Sequence, residues 1–436
     1  MSTPPDAAGH TPVVVIVGSS IGGVRAAQAL RSEGFRGRIL LVGEEEALPY
    51  DKPPLSKQFL VGQWDADKVG LLTEDAAARD RIELRLGVGA TRLDVAERRV
   101  WLSDGADLAY DWLIIATGAS ARPSPWRPGS GVHVVRTLGD SGSLREELRR
   151  PGPVVVVGGG FIGAEAAATA RALGHEVTVV DPMPTPIGRV VGPEIGRYFT
   201  DLHHRHGVET RFGVGVERIE GEAGDLRVGL TDGSTVQAAT VVVGIGAVPN
   251  DGWLADSGLP LDNGILCDEY CRTLDAPNVF AIGDVARWFH PRHRERLRVE
   301  HWTNAVEMAV CAAHNIAHPE DLRAHSPVEY VWSDQYDWKI QIVGRPTQGS
   351  RHELVGDLEG EKPRAAVLYT DDRGRLHGAV TVNWPKALVQ CRRLMTGGAG
   401  FDEALERISA LGGASGHPQE GVRETRPGTG ERAGGA

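Results

Sequence analysis

Apolar positions fall into two arrangements along this chain. Short, largely apolar runs at 13–17, 38–42, 112–116, 154–157, 176–180 and 240–243 read as strands of a parallel sheet, those at 13–17, 112–116 and 154–157 wholly apolar and so buried on both faces. Helical stretches follow two of these runs, at about 21–33 and 161–173. Gly34 and Gly174 stand where a helix C-terminal glycine belongs. Further short strands are predicted at 82–93, 99–102, 209–212, 226–230 and 278–281, with a helix over 300–316. The pattern changes after 326: strand-like runs at 328–332, 339–343, 365–369 and 376–382 are separated by turns only, and 385–394 reads as a helix. An antiparallel sheet with a helix follows from that.

Two strand–helix junctions carry chemistry. Gly158, Gly160 and Gly163 form G-x-G-x-x-G between the valine run and its helix, and Asp181 ends the next strand. The first glycine makes the tight turn, the second admits a pyrophosphate to the backbone, and the third lets helix and strand pack closely. The helix N-terminus faces the phosphates, and the acid takes ribose hydroxyls. Gly18, Ser20, Gly22 and Gly23 repeat the device with serine in the middle position, and Glu44 takes the place of Asp181. Two such units imply two dinucleotides, one of them a bound flavin and the other a diffusing nicotinamide. The strand at 278–281 leads to Gly283-Asp284, where a carboxylate can bond a ribityl chain. So the first unit resumes after the second.

The expected fold class is therefore α/β. Two Rossmann-like dinucleotide-binding domains, the second inserted in the first, are followed by an α+β C-terminal domain. The boundaries read as 12–122 with 247–325 for the FAD-binding domain, 123–246 for the NAD-binding domain and 326–411 for the last, with 1–11 and 412–436 disordered.

Composition narrows the partners. A net charge of −11 on 436 residues argues against nucleic acid. No run of 18 apolar residues exists to cross a membrane, and the first twelve residues lack the basic and apolar segments of a secretion signal, so a cytoplasmic location is expected. Cys267, Cys271, Cys311 and Cys391 form no C-x-x-C, so neither a disulfide redox centre nor a metal site is expected. The stretch 287–298 is dense in arginine, with Arg287, Arg292, Arg294, Arg296 and Arg298, and reads as a solvated loop able to attract an acidic partner. Lys57, after two prolines, reads as a surface charge early in a helix.

The motifs YDKPPLSK (50–57), VVVGGGFIGAE (155–165), FAIGD (280–284), EHWTN (300–304) and VWSDQYD (331–337) are similar to those of the FAD-dependent ferredoxin reductase family. This putidaredoxin reductase-like group comprises reductase components of monooxygenase and dioxygenase systems. The resemblance implies an NADH:ferredoxin oxidoreductase with FAD and NADH as cofactors and a 2Fe-2S ferredoxin as partner. It implies that Gly18, Ser20, Gly22, Gly23, Glu44, Ala90, Arg136, Gly283 and Asp284 hold FAD. Trp302 would approach the flavin ring by its backbone. Lys57 would lie by the flavin beside Glu165, against its surface reading. Gly158, Gly160, Ile162, Gly163, Glu165, Asp181, Arg189 and Gly246 would hold NAD, and Trp332 would sit where electrons leave. Met308 stands where the family often has glutamine. The rival readings are a flavoprotein reducing rubredoxin, oxygen or a quinone, and a redox-dependent FAD/NAD binding module.

Overall fold

A computed structural model describes residues 10–126, 129–346 and 351–412. The tail expected to be disordered at 413–436, and residues 1–9, lie outside the described residues. The valine run Val13–Val17 is central to a nine-stranded sheet. Its order is Glu295–Leu297, Ala286–His290, Ile265–Cys267, Arg272–Thr273, Ala276–Ala281, Trp112–Ile115, Val13–Val17, Arg38–Gly43 and Ile82–Leu86. The last five strands are parallel. Val279, Phe280 and Ala281 lie opposite Leu113, Ile114 and Ile115, so segments before and after a long excursion close one sheet.

That excursion builds a second parallel sheet, ordered Val208–Phe212, Val177–Asp181, Val154–Val157, Thr240–Val243 and Val132–His133. Alternation along the valine run decides what covers each face. Val154 and Val156 pack against Ala166, Ala167 and Ala170 of a helix, whereas Val155 and Val157 pack against Ile219, Leu226 and Val228 of a three-stranded meander. Both faces are apolar, which is why no polar position interrupts the run. Chain entry and exit run side by side: Ala119–Ala121 pairs antiparallel with Ala247–Pro249. Asn250 locks this neck, donating to the Thr117 carbonyl at 2.9 Å and accepting from the Ser120 hydroxyl at 2.8 Å.

The helices are α1 (Ile21–Ser32), α2 (Glu74–Arg79), α3 (Leu138–Glu147), α4 (Phe161–Ala172), α5 (Gly188–Arg205), α6 (Trp302–Ala317), α7 (Pro385–Thr396) and α8 (Phe401–Gly412). A five-stranded antiparallel sheet, Tyr330–Gln335 through Leu376–Val382, carries α7 and α8 on one face. Its other face packs Trp338, Ile340 and Tyr369 against Val191, Ile195 and Phe199 of α5, so the C-terminal sheet rests on the inserted half.

Two expectations change, and one helix is added. The segment 182–191 runs into α5, which sequence did not reveal because Gly192 (φ 81°) and Pro193 kink it after one turn. Lys57 does not begin a helix; it follows the single 3₁₀ turn Pro53–Ser56, and its own backbone (φ −127°, ψ −103°) leaves helical geometry. The arginine-dense stretch is not a solvated loop. Ala286–His290 and Glu295–Leu297 form a hairpin at the sheet edge, with Trp288 and His290 fully buried. Arg287 pairs with Asp262, Arg292 donates to the Met395 carbonyl and Arg298 pairs with Glu300. Of the five, Arg294 and Arg296 stand exposed with no side-chain hydrogen bond or ion pair among the described residues.

Candidate functional site

Three helices begin at one cavity of about 1500 Å³. Ser20, Gly160 and His301 are the residues before α1, α4 and α6, and none caps its helix with a side chain. The first N–H groups of all three helices therefore lack partners of their own, with the positive ends of three helix dipoles beside them. By contrast Thr73 and Thr137 cap α2 and α3 with their side chains. Three uncapped helix starts in one cavity make a receptor for anionic and carbonyl oxygens.

The glycines explain the close approach. A Cβ on Gly23 would stand 1.8 Å from the Gly18 carbonyl oxygen, and one on Gly163 would stand 1.9 Å from that of Gly158. Gly18 and Gly158 themselves have φ of +117° and +114°, a region costly for side chains. A Cβ on Gly160 would meet nothing within 4 Å, because it would project into the cavity.

The cavity brings the residues singled out in the sequence together. Gly18, Ser20, Gly22, Glu44, Ala90, Arg136, Gly283, Asp284 and Trp302 line one end; Gly158, Gly160, Ile162, Asp181, Arg189 and Gly246 line the other. Gly23 and Gly163 lie just behind, packing α1 and α4 against their turns. Arg136 donates to Asp284 at 3.0 Å, while its Nε is buried without a partner. Asp181 accepts from the backbone N–H of Gly159 at 2.6 Å and of Met183 at 2.7 Å, which aims the carboxylate at the turn.

The two ends meet at Glu165, which is 3% exposed. One carboxylate oxygen accepts from Lys57 at 2.8 Å and from the Ser56 hydroxyl at 2.5 Å; the other accepts from Ser333 at 2.8 Å. The donors come from two distant parts of the chain, Ser56-Lys57 and Ser333, so one buried carboxylate on α4 joins the 3₁₀ turn Pro53–Ser56 to the C-terminal sheet. Trp332, one residue before Ser333, is half-buried at the cavity rim, edge-on to Trp302 and stacked on Tyr330, each at 6.0 Å. The Trp302 indole donates to Asp51 at 2.7 Å. Burial lifts the Asp51 carboxyl above its usual range.

Sequence reasoning passed over Ser56, Ser333, Asp51, Lys52 and His301, and read Arg298 only as a charge of the arginine-dense stretch. The first four sit inside the very motifs that were read, beside residues that drew attention for charge or aromaticity. Burial, with Arg136 nearby, lowers Lys52 to about 8, and burial lowers His301 to about 4. Met308 is wholly buried, its sulfur facing the Asn304 amide at 3.4 Å, and it is absent from the cavity wall. The glutamine-to-methionine departure thus falls on helix packing. All four cysteines are buried free thiols, and none lines the cavity.

An antiparallel C-terminal sheet set on a doubled dinucleotide fold defines a flavin- and nicotinamide-linked reductase. The chain belongs to the pyridine nucleotide-disulphide oxidoreductase family, whose pattern matches residues 12–309, and a reductase C-terminal domain matches 330–406. It is an FAD-dependent NAD(P)H oxidoreductase using FAD and NADH.

Among its relatives is rhodocoxin reductase of Rhodococcus erythropolis, 39% identical over 88% of this chain and 89% of the relative. Another is the ferredoxin–NAD(+) reductase component of the anthranilate 1,2-dioxygenase system of Burkholderia cepacia, 38% identical over 88% and 94%. The putidaredoxin reductase of a covalent complex with putidaredoxin superposes with a TM-score of 0.85, at 33% identity over 93% of this chain and 99% of that one.

The residues fit FAD. Arg136 Nε, Arg298 Nε and His301 Nδ1 are buried polar atoms without partners, all on residues lining the α1–α6 end of the cavity. Such groups cost about 1–3 kcal/mol each when left unsatisfied, so a polar ligand is what balances them.

Proposed function

We propose that this chain is a cytoplasmic NADH:ferredoxin reductase serving a haem monooxygenase or ring-hydroxylating dioxygenase, with electrons leaving past Trp332. The observation carrying this reading is a cavity that joins two dinucleotide cradles at Glu165 and reaches the surface at a tryptophan, with no thiol in its wall. A flavin accepts two electrons as hydride and releases them singly, which is what a nicotinamide donor and an iron–sulfur acceptor require.

The chain's own residues supply position. The uncapped turns before α1 and α4 hold one pyrophosphate each, and Glu44 and Asp181 take the riboses. Asp284, oriented by Arg136, takes the ribityl hydroxyls. The N-terminus of α6, with Trp302, meets the flavin ring carbonyl. Lys57 and Glu165 fix the wall between the two cofactors, and Trp332 covers the ring edge. A protein acceptor is supported by the relatives, which are reductase components of ferredoxin systems.

Replacing Trp332 with alanine tests this exit. Turnover with a 2Fe-2S ferredoxin is expected to fall about 30-fold in kcat/KM, about 2 kcal/mol, as for a central interface tryptophan. NADH-driven reduction of ferricyanide should stay within twofold. Equal loss with both acceptors would place Trp332 in flavin packing instead.

The nicotinamide choice rests on Asp181. Its carboxylate, held at the turn by two backbone N–H groups, suits a 2′-hydroxyl and repels a 2′-phosphate. NADH is therefore expected to exceed NADPH by at least about tenfold in kcat/KM, and Asp181→Ser to narrow that gap by about tenfold. A gap unchanged by the substitution would move the discrimination elsewhere in the cavity.

A further inference from the structure

Helices α1 and α6 both start at the cavity, so they run parallel, and at 1.5 Å per residue α6 carries its far end roughly 24 Å away. There both helices end together. Glu33 is the residue after α1; His314 lies in the last turn of α6 and His318 is the residue after it. The negative ends of two helix dipoles converge on a carboxylate and two imidazoles, a setting that favours a cation.

We propose that Glu33, His314 and His318 form a binding site for a divalent transition-metal ion of the zinc type. His314 Nδ1 and His318 Nε2 each lie 3.1 Å from the same oxygen, Glu33 Oε2. With metal bonds of about 2.0–2.2 Å, tetrahedral donors stand about 3.3 Å apart, so both nitrogen–oxygen separations are already close to the required spacing, and all three ligand atoms lie within 4.8 Å of one another.

The hydrogen bonding orients the ring. His314 Nε2 lies 2.9 Å from the Asp321 carbonyl oxygen, which only accepts, so Nε2 carries a proton and Nδ1 is the atom turned to Glu33. Between Nδ1 and the carboxylate oxygen a positive charge must stand, a proton or a metal ion, and metal uptake displaces the proton. A backbone carbonyl holding the distal N–H is the usual support of a metal-bound imidazole. Two imidazoles and one carboxylate suit zinc, nickel or copper and leave positions for water.

A second group with the same composition gives the contrast. His293 Nε2 lies 2.8 Å and His290 Nε2 3.6 Å from Glu329 Oε1, all deeply buried. There Nδ1 of His290 accepts from the Arg292 N–H at 3.2 Å, which puts the ring proton on Nε2, the atom a metal would need bare. His293 hydrogen-bonds Glu329 inside the core while His290 Nε2 has no hydrogen-bond partner among the described residues, and the helix-end triad is the metal site.

The test uses untagged holoenzyme stripped with a chelator and titrated with zinc chloride by calorimetry, with competition against a chromophoric chelator. One zinc per chain is expected, with a rise in melting temperature. His318→Ala and Glu33→Gln should each weaken zinc binding at least tenfold and abolish most of the melting shift. His293→Ala should leave both unchanged, and NADH–ferricyanide turnover should not change in either helix-end variant. His318 is partly exposed, so its truncation leaves folding intact and the result readable. No zinc uptake, uptake equal in the Glu33→Gln/His318→Ala double variant, or loss of zinc with His293→Ala would each overturn the proposal.

Discussion

Replacing Glu165 with alanine is expected to slow NADH-driven flavin reduction about 100-fold while FAD stays bound. The carboxylate accepts three hydrogen bonds from Ser56, Lys57 and Ser333, and Lys57 is only 13% exposed in its side chain. Removing the anion leaves an ammonium in a poorly hydrated wall, a change typically costing 3–5 kcal/mol. The wall then relaxes, and an error of about 1 Å between reacting groups is enough for the expected rate loss. Glu165→Gln keeps an acceptor for the serines and loses the charge facing Lys57, so it should fall between alanine and wild type. Stopped-flow absorbance of the flavin band measures all three proteins. A rate within twofold of wild type for Glu165→Ala would remove Glu165 from hydride positioning.

The second large effect is expected from Gly23→Ala: a protein purified colourless, or melting far below wild type. Its Cβ would stand 1.8 Å from the Gly18 backbone oxygen and 3.0 Å from a Leu41 methyl. Backbone on one side and core on the other leave α1 nowhere to go but away from its turn, which opens the cradle proposed to hold FAD. Gly160→Ala makes the opposite case. Its Cβ meets no protein atom, so the variant should melt like wild type, yet lose at least tenfold in NADH affinity because the methyl occupies cavity space beside the proposed pyrophosphate seat. Flavin content, melting temperature and NADH titration separate the two. A yellow, normally stable Gly23→Ala protein would contradict the packing argument.

These glycines were legible in the sequence because their spacing reports a backbone geometry. The same holds for the parallel strands: a run such as Val154–Val157 has both faces buried, and four valines say so. Glu165 was visible only through resemblance. Its neighbours along α4 are alanines, and nothing local says that a carboxylate there is met by Lys57 and Ser56 from more than 100 residues earlier and by Ser333 from 168 residues later. Helix α5 was hidden because Gly192 and Pro193 erase the helical signal that Ile195, Phe199 and Leu202 would have carried. The arginine hairpin misled for a related reason. Counting charge along the chain says nothing about Asp262, Glu300 or the Met395 carbonyl, which take up three of the five arginines.

The paired strands of the neck bear on how the molecule folds. The nine-stranded sheet needs Leu113 beside Val279, a contact that spans the whole inserted half. Closing a loop of that length in a disordered chain is slow, since the closure entropy comes before any of the contacts that repay it. If the inserted half folds first, Ala121 is brought against Ala247, and the loop left to close no longer includes the inserted half, only the chain from Leu113 to the ribbon and from the ribbon to Val279. The order of assembly is then inner half before outer sheet, and a destabilising change in the meander at 216–238, remote from the outer sheet, should delay the outer sheet and flavin uptake.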